Sequence, residues 1–295
     1  MFQQLSDRIF MAPGGVNIGV ILTPAAGAIL VDTGLNDTAA RKVLRRLAEL
    51  DRRVTAIVTT HGHADHFGGN AFIVKRSGAE VWAPAWDETV LRYPLFQPLV
   101  LFAGADPPDS LRGGFLLAEQ SPVDHIYDAG PLEIQGVSMQ ALALAGHSGN
   151  QMGILCDDVF FAADVALPLR VLERYKMPYL YSVRDHLRSL ARAQAASYQI
   201  AMPGHGPAAE DLTEIIQVNR ELVLNVADMI VELCAAPIVP GDILAELLLA
   251  LGAQPTDPAG YYLLHPTIFA YLTYLEEQGR LAHRIDSARS LWTAV

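Results

Sequence analysis

The sequence predicts an α/β protein, and three observations carry that expectation. Short apolar runs alternate with amphipathic stretches through the first third of the chain without an intervening linker. The segments richest in histidine and aspartate follow apolar runs directly, and the carboxyl end of a strand is where open α/β sheets place their ligands. The last third changes to long stretches with helical spacing, closed by a short strand-like pair.

Val16 to Leu22 and Ala28 to Val31 are apolar runs separated by Thr23-Pro24 and Gly27, which predicts two strands joined by a hairpin. Asp37 or Thr38 is placed to cap a helix reaching about Leu50, with Val43, Leu44, Leu47 and Leu50 on one face. Val54 to Thr59 reads as a buried strand. From Trp82 to Val123 the periodicity breaks among Pro84, Pro94, Pro98, Pro107, Pro108 and Gly113-Gly114. This irregular insert, 82–123, is a candidate lid, pocket wall or dimer contact, or an ordinary cover for a sheet edge. Strand-like pieces resume at Leu132 to Ile134, Val137 to Leu144 and Gly153 to Phe161; Ser182 or Asp185 opens a helix to about Tyr198, and Ile200 to Met202 is a short strand. Helical spacing then runs from Leu212 to Leu233 and from Asp242 to Leu251. Pro266 suits the first turn of a third helix ending near Gly279. Leu281 to Ile285 and Ser290 to Val295 can pair as a hairpin. The expected organisation is a main domain over 1–210, a connecting helix over 211–237 and a small, mainly helical, winged-helix-like domain over 238–295.

A chain of 295 residues that is 51% apolar can bury a sizeable core. Neither a tripartite leader nor an uncharged apolar run long enough to span a bilayer stands out, so the expected location is the cytoplasm, with no membrane partner. Cys156 and Cys234 are too few for a disulfide framework and lack metal or redox spacing. A formal charge of −11 would repel a polyanion unless the basic residues were segregated, which disfavours nucleic acid as a partner.

The chemistry concentrates in TTHGHADHFGGN, residues 59 to 70. Borderline divalent metals take imidazole nitrogen and carboxylate oxygen, and a catalytic site keeps one position open for water. His61 and His63, two apart on a loop, can turn toward one ion; Asp65 and His66 can reach a second, with Gly62, Ala64, Gly68 and Gly69 permitting a tight path. One turn of chain cannot complete two coordination spheres. His147 in AGHSGN, Asp164 in FFAAD and His205 in MPGHGP, each after a strand-like run, are candidates to complete them.

TTHGHADHFGG, with VDTG upstream at Val31 to Gly34 and GH, AAD and PGHGP downstream, resembles the metallo-β-lactamase fold superfamily over roughly residues 6 to 210. The resemblance implies a four-layer αβ/βα sandwich and two divalent ions, zinc foremost, with iron or manganese able to use the same ligands. It implies that His61, His63 and His147 hold the first ion, Asp65, His66 and His205 the second, and Asp164 bridges them. Asp32 would steady the site from behind. The activity implied is hydrolysis: two cations sharing a water lower its pKa enough to supply hydroxide near neutral pH, and Asp65 also orients that hydroxide. One departure is Gly149-Asn150, where many members carry Pro-Gly. The tail, with LLHPTIFAYLTYLEEQGRL at 263 to 281, resembles the β-lactamase-like protein 2 group, alongside the glyoxalase II-like branch.

The substrate expectation is a small-molecule ester, thioester or lactone, with an endoribonuclease or phosphodiesterase acting on single-stranded RNA as the alternative. Lys42, Lys75 and Lys176 are the only lysines, which subtracts from a glutathione thioester held by C-terminal cations. Tyr175, Lys176 and Tyr179 are candidate substrate contacts, near Arg174 and Tyr181. Against RNA, residues 238–295 carry three arginines (280, 284, 289) and six acids (242, 246, 257, 276, 277, 286), a net of −3. The tail is therefore expected to roof the pocket or to form a homodimer contact.

Overall fold

A computed structural model describes residues 2–295. The first half contains β1 (Gln3–Gln4), β2 (Ile9–Ala12), β3 (Ile18–Leu22), β4 (Gly27–Val31), α1 (Asp37–Ala48), β5 (Arg53–Val58), α2 (Ala64–Phe67), α3 (Asn70–Ser77), β6 (Glu80–Pro84), α4 (Asp87–Arg92), α5 (Phe96–Leu101) and β7 (His125–Tyr127). The second half contains β8 (Gly130–Ile134), β9 (Val137–Ala143), β10 (Met152–Cys156), β11 (Val159–Ala163), α6 (Leu169–Tyr175), α7 (Val183–Ala195), β12 (Ile200–Pro203), α8 (Thr213–Leu233), α9 (Pro240–Ala250), α10 (Pro258–Glu277), β13 (Leu281–Asp286) and β14 (Arg289–Ala294).

Strands β1 to β7 form one sheet in chain order, and β8 to β12 form a second in the order β12-β11-β10-β9-β8. Ile9, Met11, Ile29, Val58 and Tyr127 of the first sheet share a core with Ile134, Met139, Ile154 and Phe161 of the second. The opposite face of the first sheet packs on Ala40, Val43 and Leu47 of α1 and Ile73 of α3. The outer face of the second packs on Leu190 and Ala193 of α7 and Ile216 of α8. Helices thus cover both outer faces of two stacked sheets, the four-layer α/β architecture. Strands β3 and β4 sit between neighbours with both faces covered, which is why IGVIL and GAILV are near-continuous apolar runs rather than alternating ones.

Strand direction explains where the site forms. Strands β4, β5, β6 and β7 are parallel, so their carboxyl ends share one edge. In the second sheet β9 and β11 are both antiparallel to β10, and β12 is parallel to β11, so β9, β11 and β12 also end together.

Several boundaries differ from the sequence reading. Helix α1 is capped by Asn36, whose side chain accepts from the backbone N–H groups of Thr38 and Ala39, rather than by Asp37 or Thr38. Gly153 to Phe161 is two strands folded back at Asp157-Asp158, Asp157 having φ of 50°, a left-handed conformation that Asp tolerates. The first-turn proline of α10 is Pro258, after Asp257 accepts from the N–H of Gly260, while Pro266 lies inside the helix. Strands β1, β2 and β7 and helix α6 carry no periodicity long enough to announce them.

Helices α8 to α10 and the β13–β14 hairpin enclose a separate core around fully buried Tyr271, which also takes in Met177, Leu180 and Val183 from the segment after β11. The insert is not loose cover: Leu101, Leu111 and Leu116 are buried against Tyr262 and Leu263 of α10. No helix among the described residues is long and apolar enough to cross a membrane.

Candidate metal centre

Seven of the sequence-predicted side chains converge where the carboxyl ends of both sheets meet. His61 and His63 follow β5, Asp65 and His66 ride on the short α2, His147 follows β9, Asp164 follows β11 and His205 follows β12. Their ligand atoms fall into three sets, each within 4.8 Å: His61, His63 and His147; His61, His66 and Asp164; and Asp65, His66 and His205. Asp164 is the hub, with Oδ2 3.4 Å from His66 Nε2, 3.5 Å from His147 Nε2 and 3.3 Å from His205 Nε2.

The surroundings prepare the imidazoles as ligands. His66 Nδ1 donates to Asp32 Oδ2 at 2.8 Å, His147 Nδ1 to the Tyr179 carbonyl at 3.2 Å, and His205 Nδ1 to the Gly15 carbonyl at 2.6 Å. Thr60 Oγ1 lies 3.0 Å from His61 Nδ1. In each of these rings the outer nitrogen is engaged by oxygen, which leaves Nε2 with a lone pair directed into the cluster. His61 Nε2 faces His63 Nδ1 at 3.0 Å.

Three buried polar atoms in the cluster, His66 Nε2, His147 Nε2 and Asp164 Oδ1, have no protein hydrogen-bond partner. Buried polar groups without partners are rare and costly, so three in one cluster indicate a missing electrophilic partner. A divalent cation satisfies imidazole nitrogen and carboxylate oxygen together, and the residues present fit one. Gly204 lets the His205 loop pass close against the cluster: a Cβ there would stand 2.0 Å from Asp164 Oδ1 and 2.9 Å from His66 Cε1.

Charge separates the two halves of the cluster. Burial and the neighbouring His66 hold His61 well below the ordinary 6.5; burial above all brings His63 down to about 4 and His147 to about 3. These rings are neutral at physiological pH, the form that binds metal. Burial pulls His66 down too, but Asp164 and Asp32 outweigh it and hold its pKa well above 6.5. Asp164 raises His205, and in return His205 and His66 overcome the burial that opposes ionisation and keep Asp164 ionised.

The sequence reading places Asp32 behind the ligands, and its carboxylate does contact His66. It also accepts from Thr60 N at 2.7 Å and Thr60 Oγ1 at 2.8 Å, tying the end of β4 to the motif loop. Asp32 sits at φ 61°, and Ala163 just before Asp164 at φ 49°. Three supporting residues escape the sequence reading. Buried Asp87 accepts from Gly62 N at 2.7 Å and Asn150 N at 2.8 Å, joining the motif loop to the loop that carries His147. Buried Asn17 donates to the carbonyls of Pro203 and Gly206 and so holds the His205 loop. Asn70 accepts from Thr33 and donates to Thr59 and Ser121. None carries a local signature; Asn70 alone lies inside the motif.

A cavity of about 480 Å³ opens from the ligands. Tyr175 and Tyr179 line it, as the sequence reading expects, but Lys176 does not: it terminates α6 with φ of 62° and is absent from the cavity wall. Arg170 and Arg174 of α6 supply the positive charge instead, and Leu263 of α10 is also part of its wall.

Comparison with known proteins agrees with this geometry. Over 80% of the chain, the sequence is 24% identical to a linear primary-alkylsulfatase of a Pseudomonas species, covering 49% of that protein. It is 25% identical over half its length to the hydroxyacylglutathione hydrolase GloC of Haemophilus influenzae, of which 66% is covered. Over 67% of the chain it is 22% identical to an atrochrysone carboxyl ACP thioesterase of Aspergillus fumigatus, covering 53% of it. The chain thus spans about half to two thirds of the length of these curated relatives. Among solved structures, a metallo-beta-lactamase family protein of Thermus thermophilus matches 97% of the chain and 98% of its own with a TM-score of 0.71 at 20% identity. A beta-lactamase domain protein of Burkholderia ambifaria matches 100% and 93% with a TM-score of 0.76 at 16% identity, so both show a common fold. The model of the metallo-beta-lactamase superfamily matches residues 11–241, from β2 through the whole ligand set into α9, and the chain belongs to that superfamily.

Proposed function

We propose that this chain is a metal-dependent hydrolase with a dinuclear centre, zinc being the expected ion, that cleaves a small-molecule ester or thioester. The observation that carries the reading is the convergence of five histidines and two aspartates in which Asp164 reaches both halves and three buried ligand atoms lack any protein partner. His61, His63 and His147 would hold one ion, Asp65, His66 and His205 the other, and Asp164 both. Bound there, the pair supplies an activated water near neutral pH and a Lewis acid for the scissile carbonyl.

The chain's own residues do the rest. Asp65, half-buried and lining the cavity, would orient the attacking water. Tyr179 packs edge-on against His63 at 5.5 Å and His147 at 6.0 Å between ring centroids. Burial pushes its phenol up to about 12, so it stays protonated and can donate to oxygen as charge develops there. Asp32 keeps His66 oriented, and the apolar wall of Leu35, Leu167, Leu172 and Leu263 limits bulk water.

The tail, read as winged-helix-like from the sequence, serves this reading as a roof. Leu263 lines the cavity, and the acidic balance of 238–295 disfavours a phosphate backbone as occupant. The test is metal analysis of protein grown in zinc- or iron-supplemented medium, followed by a panel of acyl thioesters, esters, lactones, phosphodiesters and single-stranded RNA. About two ions per chain and EDTA-sensitive thioester or ester cleavage are expected. Metal-free protein, or cleavage of RNA alone, overturns the proposal.

A further inference from the structure

The cluster opens on two sides. Besides the α6 cavity, a second one of about 390 Å³ begins at Gly62 and His63 and is walled by Trp86, Phe96, Val100 and Tyr181. It shares Val100, Tyr179 and Tyr181 with a third, of about 420 Å³, that runs along Pro266, Phe269 and Tyr274 of α10. Together they form a groove leading from His63 to the tail. Tyr179 stands at the junction of all three.

The groove wall is unusually apolar for an exposed surface: Trp86 is 68% exposed, Val100 54% and Tyr181 50%. Trp86 also sits at φ 72°, ψ −58°, a conformation that non-glycine residues rarely adopt. Its indole packs edge-on to Tyr181 at 6.3 Å and occupies the space a Cβ on Gly149 would need, 2.9 Å away. Gly149, the departure from Pro-Gly noted in the sequence, therefore makes room for an aromatic wall.

Charge distinguishes the two sides. Arg184, the groove's cation, is engaged by Glu277 at 2.7 Å and Asp185 at 3.3 Å, so the groove offers an anion nothing. On the α6 side, Arg170 and Arg174, one helical turn apart, have no ion-pair partner among the described residues. In a chain of net charge −11, two unpaired arginines on one cavity wall form a local positive patch, the chemistry that suits an anionic group.

We propose that the substrate is an amphiphile cleaved between its halves, an apolar chain lying in the Trp86–Val100–Phe269 groove and an anionic group reaching Arg170 and Arg174. This rests on the hydrolase reading. Water adds to the carbonyl carbon, the C–S or C–O bond breaks, and a carboxylic acid and a thiol or alcohol leave, sharing the atoms of one water.

The experiment compares S-acyl thioesters of 3-mercaptopropionate and of its neutral amide, with acyl chains of increasing length, on the metal-loaded enzyme. Expected is a kcat/KM that rises about fourfold per methylene until the groove is filled, and a carboxylate preference of about tenfold. Val100→Trp, at an exposed position, should flatten the length dependence. The double variant Arg170→Ala and Arg174→Ala should erase the carboxylate preference and keep the length dependence. A readout without turnover is titration of the metal-free protein with decanoate followed by tryptophan fluorescence, with binding weakened at least about tenfold by Val100→Trp. Thioester cleavage indifferent to both chain length and charge overturns the inference and leaves the hydrolase reading standing. Decanoate binding that Val100→Trp weakens, with no thioester or ester cleaved, overturns the hydrolase reading and the cleavage with it, and leaves only the apolar groove as a binding site.

Discussion

The ligand loops and the cavity walls are built by opposite strategies. The ligands sit at the ends of β5, β9, β11 and β12, in two sheets whose cores fix those ends, and nearly every ring is pinned by a second contact. The walls come from the short α6, the irregular 82–123 insert and α10, elements separated by long stretches of chain, the last two joined by side-chain packing. A rigid edge that fixes the water-activating groups, bordered by separable walls, allows one chemistry to meet different substrates. Disturbing the first region should abolish the reaction, and disturbing the second should tune it.

His63→Ala gives the largest expected effect. It removes a ligand shared between the cluster and both flanking cavities. Outer partners of metal ligands are worth about 10–100-fold, so loss of a ligand should cost at least about 100-fold in kcat/KM. Metal analysis should show fewer ions per chain with the fold intact by circular dichroism. Full metal content and activity would break the division into reacting edge and tunable wall.

The same division explains what the sequence discloses. His61, His63, Asp65 and His66 fall within six consecutive positions, a concentration of metal-ligating side chains in one turn of chain that is legible without a fold. His147, Asp164 and His205 are legible as strand ends. Asp87 is not, because a lone aspartate among irregular residues looks like a helix cap until Gly62 and Asn150 are seen to share it. Arg170 escapes notice because α6 has only seven residues, too few for a period to show. Lys176 stands out for its charge, yet one residue of helix rotation and a left-handed terminus take it off the cavity.

Asp32→Asn tests whether the supporting contacts matter as the ligands do. The amide cannot accept from Thr60 and His66 together as the carboxylate does, so metal affinity should fall about 10–100-fold by competition with a chelator. An unchanged affinity would show that β4 contributes only to the core.

His186 supplies a pH test on the same side. It is buried behind Gly146, with neither ring nitrogen bonded to protein, and burial above all brings its pKa from 6.5 to about 3. A depressed folded-state pKa means that its stability contribution is complete above about pH 6.5 and is lost as pH falls toward 3, because only the unfolded chain takes up the proton in between. The slope from this one group reaches at most about 1.4 kcal/mol per pH unit. His186→Phe keeps a planar ring and should flatten the acid side of the stability profile, read by urea unfolding at pH 7 and pH 5. Parallel profiles would mean that the folded protein protonates His186 readily.

The smallest effect is expected on the wall. Tyr175 ends α6 with Arg174 5.2 Å above its ring and lines the cavity without touching a ligand ring. Tyr175→Phe keeps the ring and its packing and removes only a hydroxyl, so thermal stability should hold and kcat/KM should change by about twofold, the scale of a surface substitution. A drop approaching that of His63→Ala would place the Tyr175 hydroxyl on the reacting atoms. The carboxyl end of α6 would then belong to the fixed edge, and substrate choice would have to come from the insert and α10 alone.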